Sequence, residues 1–137
     1  MVPRRGTWQP LIPNRYRWPI VLLLAATPFV AGVDFALGEP VTSTTALERS
    51  MPVWAWTTLL MTAGTLSVVG YVRRWPKVCI LGLHLSGVVF FALSAGIAVE
   101  SVDVHGGFRV PWLYLVIAAA SWLAALGYWD QIRGDRR

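Results

Sequence analysis

Among the polar residues within the apolar stretches of this sequence, five are the candidates for chemistry. They are Asp34, Thr58, Thr62, Thr65 and His84. A carboxylate or an imidazole surrounded by lipid is costly unless it has a partner or water, so such a group can mark a proton, cation or ligand path. A relay of this kind would need Asp34 to share one cavity with a second titratable group such as His84.

Each of these residues also has a purely structural interpretation, which we favour for Asp34 and His84. Asp34 lies about one turn from the end of its apolar stretch, where it can reach interfacial water, Arg49 or Arg109. His84 lies roughly 10 Å below the nearer membrane surface, and it is expected to hydrogen-bond to a neighbouring helix or to line a wet cavity. The three threonines share one helical face, but a threonine hydroxyl can also donate to its own helix.

Four long apolar stretches must position these residues, and together they predict an all-α integral membrane protein. In the 137-residue chain, 55% of the residues are hydrophobic and only 14% are charged, a combination that is rare in soluble domains. At about 1.5 Å per residue each stretch matches the thickness of a bilayer, and none has the period of two that is typical of barrel strands. The predicted spans of this four-transmembrane-helix bundle are residues 19–37, 52–72, 78–99 and 111–129.

The predicted membrane domain, residues 19–129, lies between a basic N-terminal segment, residues 1–18, and a basic tail, residues 130–137. Ten of the twelve lysines and arginines lie in these two segments or in the short link between the second and third spans. By the positive-inside rule both termini are cytoplasmic, so a multi-pass protein of the cytoplasmic (inner) membrane is predicted. The net charge of +5 then reflects topology, and no nucleic-acid partner is expected. Alternatively, the first span is a cleaved signal peptide, which would leave the orientation of the other spans unchanged.

The tripeptide Arg-Trp-Pro precedes two of the spans, beginning at Arg17 and at Arg74. Proline suits the first turn of a helix, tryptophan suits the head-group level, and arginine stays in water beside phosphates. The tripeptide therefore indicates membrane entry, with its proline opening the helix. Its recurrence fits either two tandem helical hairpins that arose by duplication or independent use of common anchors. The predicted interfacial anchors are Arg17, Trp18, Trp54, Arg74, Trp75, Trp112 and Trp129.

Small residues four positions apart predict the faces on which the helices approach one another closely. They are Gly82, Ser86, Ala92 and Gly96 in the third span, and Ala120 and Ala124 in the fourth. These faces support packing within the chain first and self-association second. The link RRWPK is so short that the second and third spans must form an antiparallel hairpin. Cys79 is the single cysteine and is expected to be a small apolar filler.

The sequence contains no recognisable set of nucleophile and base, phosphate-binding loop or metal ligands, so neither an enzyme nor a cofactor is predicted.

The layout of the chain resembles that of the small four-span membrane proteins of actinobacteria and their bacteriophages, some of which are called holin-like. The shared features are four spans opened by Arg, Trp or Pro, the RRWPK link and the DQIRGDRR tail. The resemblance implies that copies associate in the membrane and turn the face of Thr58, Thr62 and Thr65 toward water, which permeabilises the bilayer.

Two other functions are compatible with the same residues. The protein can be a non-catalytic accessory or assembly subunit whose spans pack against a larger membrane complex. It can also be a small transporter, which requires Asp34 and His84 to face one cavity. In each case the expected partners are the lipid bilayer and either further copies of the chain or other membrane protein subunits.

Overall fold

The computed structural model describes residues 14–38, 51–103 and 107–134, and in these ranges the regular structure is entirely helical. Its helices are α1 (Asn14–Leu37), α2 (Val53–Val72), α3 (Pro76–Asp103) and α4 (Arg109–Gly134). Each contains a segment long and apolar enough to cross a membrane: Trp18–Leu37, Val53–Val72, Pro76–Val102 and Arg109–Asp130. The prediction of a helical protein with four helices long and apolar enough to cross a membrane is therefore confirmed for the described residues. Most of segment 1–18, Arg49, the side chain of Arg17 and the end of the tail lie outside the described residues.

The first helix begins earlier than the sequence predicted. Because α1 starts at Asn14, Pro19 lies inside the helix and does not open it, so that expectation was wrong for the first Arg-Trp-Pro. An apolar window marks the part of a helix that lies in lipid, whereas the hydrogen-bonded helix can continue into the interface, where water satisfies its polar ends. Pro28 also lies within α1 and is fully buried.

The second Arg-Trp-Pro behaves as predicted, because Pro76 is the first residue of α3. The turn before it closes α2 with a Schellman motif. The backbone N–H of Arg74 donates to the carbonyl of Tyr71 at 3.2 Å, and that of Trp75 donates to the carbonyl of Gly70 at 2.8 Å. Arg74 occupies the left-handed position of this motif, with φ at 57°. The tight turn produces the expected antiparallel hairpin of α2 and α3.

Glycines set how closely the two helices of this hairpin approach. Gly82 of α3 lies directly against the backbone of Ser67 in α2, and Gly70 of α2 lies against the backbone of Cys79 in α3. A side chain larger than hydrogen at either glycine would overlap the opposite backbone. The two contacts therefore define both the interhelical distance and the antiparallel register.

The flanking helices pack onto the hairpin in the same way. Gly64 of α2 lies against Phe29 of α1, and Gly87 of α3 lies against the indole of Trp122 in α4. Near the other end of α3, the hydroxyl of Ser94 donates to the carbonyl of Pro111 at 2.7 Å, a buried hydrogen bond between α3 and α4. Helices that are consecutive in the chain are thus packed as neighbours.

Two apolar clusters form the core, one toward each end of the molecule. We call the end with the turn at residues 73–75 the link end and the opposite end the loop end. The loop-end cluster is centred on the buried residues Trp56, Leu60, Val89, Phe90, Leu93 and Ala118, and the link-end cluster on Cys79, Ile80, Leu83 and Ala125. Cys79 is buried there as an apolar filler.

The bundle does not close. α1 packs extensively on α2, and α4 packs extensively on α3, but α1 and α4 make only sparse contact with each other. We call the gap between α1 and α4 the seam. Two grooves lie along it, one near each end, so the seam is the part of the bundle where apolar side chains leave space for another molecule.

Candidate functional site

Four of the five predicted polar residues are exposed on the two helices of the hairpin. Thr58, Thr62 and Thr65 are exposed along α2, and His84 is exposed on α3. Exposed here means that the side chain is not covered by the rest of the chain. We call these four residues the polar outer face.

The register of the hairpin places two members of this face at the same depth. Because Gly82 meets Ser67 and Gly70 meets Cys79, residues of α2 and α3 whose positions are symmetric about the turn lie level with each other. Thr65 and His84 are such a pair. His84 follows Pro76 by about 12 Å along the helix, which places both side chains at the depth of the hydrocarbon.

The hydroxyls of the polar outer face differ in their hydrogen bonding. Thr58 donates to the carbonyl of Trp54 at 2.7 Å, so its hydroxyl is satisfied by its own helix. Within the described residues, Thr62 and Thr65 make no side-chain hydrogen bond. His84 is exposed on α3, and no described residue hydrogen-bonds to its side chain. In lipid, these three side chains would lack hydrogen-bond partners among the described residues.

Asp34 belongs to a different surface. It is exposed and lines the loop-end groove of the seam, a space of about 520 Å³, together with Thr27 and Leu37 of α1 and with Tyr114 and Ile117 of α4. The transporter interpretation requires Asp34 and His84 to face one cavity, but the structure places them on different surfaces. Among the described residues, no three His, Cys, Asp or Glu side chains are grouped so that they could hold a metal ion.

The link-end groove is a cavity of about 650 Å³ that the sequence analysis did not identify. Trp18 and Leu22 of α1 form one wall, and Tyr128 and Ile132 of α4 form the other. Arg74 is the charged residue in its lining.

The two Arg-Trp-Pro copies meet at this cavity. The first copy supplies Trp18 and the second supplies Arg74, while the hydroxyl of Tyr71 donates to the carbonyl of Trp18 at 3.4 Å. The repeat was therefore the available sequence signal for the cavity. The repeat did not predict a cavity because the sequence does not indicate that the end of α2 lies beside the start of α1.

The remaining predicted residues occupy two kinds of position. Gly82 and Ser86 are buried, whereas Ala92, Gly96, Ala120 and Ala124 are half-buried. The anchor tryptophans are exposed at the helix ends, with Trp18, Trp75 and Trp129 at the link end and Trp54 and Trp112 at the loop end. Arg133 lies over the ring of Trp129, with 5.2 Å between the guanidinium carbon and the ring centroid. These tryptophans form two belts, as expected at membrane surfaces.

Comparisons with protein-family models, with curated proteins and with solved structures find no match to this chain. Two local features of the structure are therefore the candidates for function, the polar outer face and the link-end cavity. The first has exposed polar side chains, of which Thr62, Thr65 and His84 have no hydrogen-bond partner among the described residues. The second presents a cation beside an apolar space.

Proposed function

We propose that this protein is a self-associating, multi-pass protein of the cytoplasmic membrane, whose copies meet through the polar outer face and permeabilise the bilayer in a holin-like manner. The observation that carries the proposal is the outward position of Thr62, Thr65 and His84 at hydrocarbon depth. Polar side chains in lipid are costly without partners, and hydrogen bonds between helices favour their association. A second copy supplies such partners.

The water path of the proposed assembly lies between copies. The core of a single chain is made of apolar clusters around residues such as Leu60, Leu83 and Phe90, and these exclude water. When several copies turn their polar outer faces toward a common axis, hydroxyl and imidazole groups line that axis. The role is therefore physical rather than catalytic, and it involves no cofactor.

The proposed orientation places the link end in the cytoplasm. Among the described residues, Arg73, Arg74, Lys77 and Arg133 lie at this end, whereas the loop end has Arg109 as its basic residue. Cytoplasmic ends of membrane proteins carry the excess of lysine and arginine. Both termini are then cytoplasmic, and the segments between α1 and α2 and between α3 and α4 face outward.

Induced expression with a fluorescent reporter of membrane potential tests the proposal. The wild-type chain should depolarise the cells abruptly and should yield oligomers in mild detergent. The variant Thr62→Val/Thr65→Val removes two hydroxyls from exposed positions, so the bundle should still fold while both oligomers and depolarisation are lost. The matched control is Thr27→Val on α1, whose hydroxyl donates to the carbonyl of Leu23 and lies outside the polar outer face; it should behave as the wild type.

Two results would contradict the proposal. Sustained potential during wild-type expression would exclude permeabilisation, and equal depolarisation by the Thr62→Val/Thr65→Val variant would exclude the polar outer face as the contact. If a second protein copurifies in fixed proportion from cells that keep their potential, the accessory role replaces the holin-like one.

A further inference from the structure

The link-end cavity opens sideways toward lipid. Its walls come from α1, through Trp18 and Leu22, and from α4, through Tyr128 and Ile132, and these two helices make little contact with each other. Its volume of about 650 Å³ lies within the range of about 300–1,000 Å³ found for ligand sites. A molecule already in the membrane can therefore enter through the seam without passing through water.

The lining has the two-part chemistry of a lipid. Leu22, Val72 and Ile132 are apolar residues of the lining, while Arg74 and Tyr71 are polar residues of the lining. Arginine presents a planar set of donors that suits phosphate oxygens. Besides Arg74, the exposed charged side chains described at this end are three cations, Arg73, Lys77 and Arg133, and one acid, Asp130. The balance favours a negatively charged occupant.

The depth of the cavity favours a lipid over a soluble anion. Exposed Trp18, Trp75 and Trp129 indicate the head-group level at the link end, because tryptophan concentrates at membrane interfaces. Arg74 lies in the same turn as Trp75, so its guanidinium is at the level of lipid phosphates. The apolar part of the lining, which includes Leu22 of α1, continues from there toward the acyl chains.

The backbone of Arg74 provides an independent indication. The residue holds φ at 57° at the position of the Schellman motif where glycine is the usual choice. A side chain in this conformation carries a strain that glycine would avoid, and strained residues concentrate at ligand sites. The residue in this conformation is also the charged residue of the cavity lining.

We infer that the link-end cavity binds one anionic phospholipid, with its phosphate on Arg74 and an acyl chain between α1 and α4. This inference is independent of the proposed permeabilising function, because the cavity and the polar outer face have no residue in common. The lipid would fill the open seam and hold α1 and α4 at a fixed separation within each copy.

The test uses the full chain purified in neutral detergent, supplied with equal amounts of phosphatidylglycerol and phosphatidylcholine and examined by native mass spectrometry. The wild type should retain phosphatidylglycerol in preference to phosphatidylcholine. Arg74→Gln should lower that retention about tenfold, the effect of losing a charge-assisted contact to phosphate. The matched control is Arg73→Gln, which removes the same charge from the same turn outside the lining and should change retention less than about twofold.

A second variant tests the apolar part of the site. Leu22→Trp adds bulk to the α1 wall without a change in charge, and it should lower phosphatidylglycerol retention by displacing the acyl chain. If Arg74→Gln does not elute as a folded species, the phosphatidylglycerol retention of Leu22→Trp tests the lipid site in its place.

Equal retention of the two lipids, or equal losses for Arg73→Gln and Arg74→Gln, would overturn the inference. So would a Leu22→Trp variant that is folded and retains lipid as the wild type does. The Thr62→Val/Thr65→Val variant should keep its phosphatidylglycerol, so failure of the lipid site and failure of the proposed function are separate results.

Discussion

At the scale of single residues, two buried serines of α3 differ in their hydrogen bonding and are therefore expected to have opposite effects on stability. The Ser94 hydroxyl donates to the carbonyl of Pro111 and connects α3 to α4. The Ser86 hydroxyl is fully buried, and no described residue hydrogen-bonds to it. A satisfied interhelical hydrogen bond contributes to stability in a membrane protein, whereas a buried hydroxyl without a partner costs free energy.

Replacing these serines by alanine should therefore change the free energy of unfolding in opposite directions. Ser94→Ala should lower it by about 0.6–1.7 kcal/mol, the range for interhelical hydrogen bonds in membranes. Ser86→Ala should raise it by about 1 kcal/mol, because a desolvated hydroxyl is removed. Unfolding by sodium dodecyl sulfate in mixed micelles, followed by circular dichroism, measures both. A loss of stability in both variants would show that Ser86 has a partner.

At the scale of helices, glycine placement is the main determinant of packing, and two glycines make a matched pair. Gly82 lies against the backbone of Ser67, whereas no atom lies within 4 Å of the position that a Cβ would take at Gly127 on α4. Gly82→Ala should destabilise the hairpin by roughly 1–3 kcal/mol, the usual cost of overpacking. Gly127→Ala should be neutral or stabilising by up to about 1 kcal/mol, because alanine favours helix. The detergent unfolding assay compares the two.

Similar effects from the two substitutions would contradict this account of the α2–α3 contact. The position of Gly82 also determines which property a Gly82 variant would report. Because it lies within a contact inside one chain, a large side chain there disrupts the fold itself. It therefore cannot report on association between copies, which is better tested at exposed Thr62 and Thr65.

The four helices could be predicted from the sequence because length and apolar composition are local properties. The outward position of His84 could not, because each span is apolar around most of its circumference and its sequence does not indicate which face its neighbours cover. The start of α1 was predicted wrongly because Pro19 marks the end of the polar N-terminal segment, whereas the helix begins before it, at Asn14. The link-end cavity could not be predicted because it lies between α1 and α4, two helices far apart in the chain whose relative position the sequence does not indicate.

At the scale of the whole molecule, the α2–α3 hairpin is the structural centre and α1 and α4 flank it. This arrangement separates the two candidate surfaces. The polar outer face is on α2 and α3, where it is available to another copy, whereas the seam lies between α1 and α4, where it is available to lipid. The proposed association and the proposed lipid binding should therefore vary independently.

The asymmetric charge of the two ends leads to a prediction about orientation. Arg73, Arg74, Lys77 and Arg133 would have to cross the bilayer if the link end faced outward, so the link end should be cytoplasmic. In a Cys79→Ala background, Phe108→Cys at the loop end and Asp130→Cys at the link end place single thiols at exposed positions and leave every lysine and arginine in place. A membrane-impermeant maleimide should label Phe108→Cys in intact spheroplasts and Asp130→Cys only after lysis. Labelling in the reverse order, or of both thiols before lysis, would contradict the orientation, because each thiol reports the side of the membrane on which its own helix end lies.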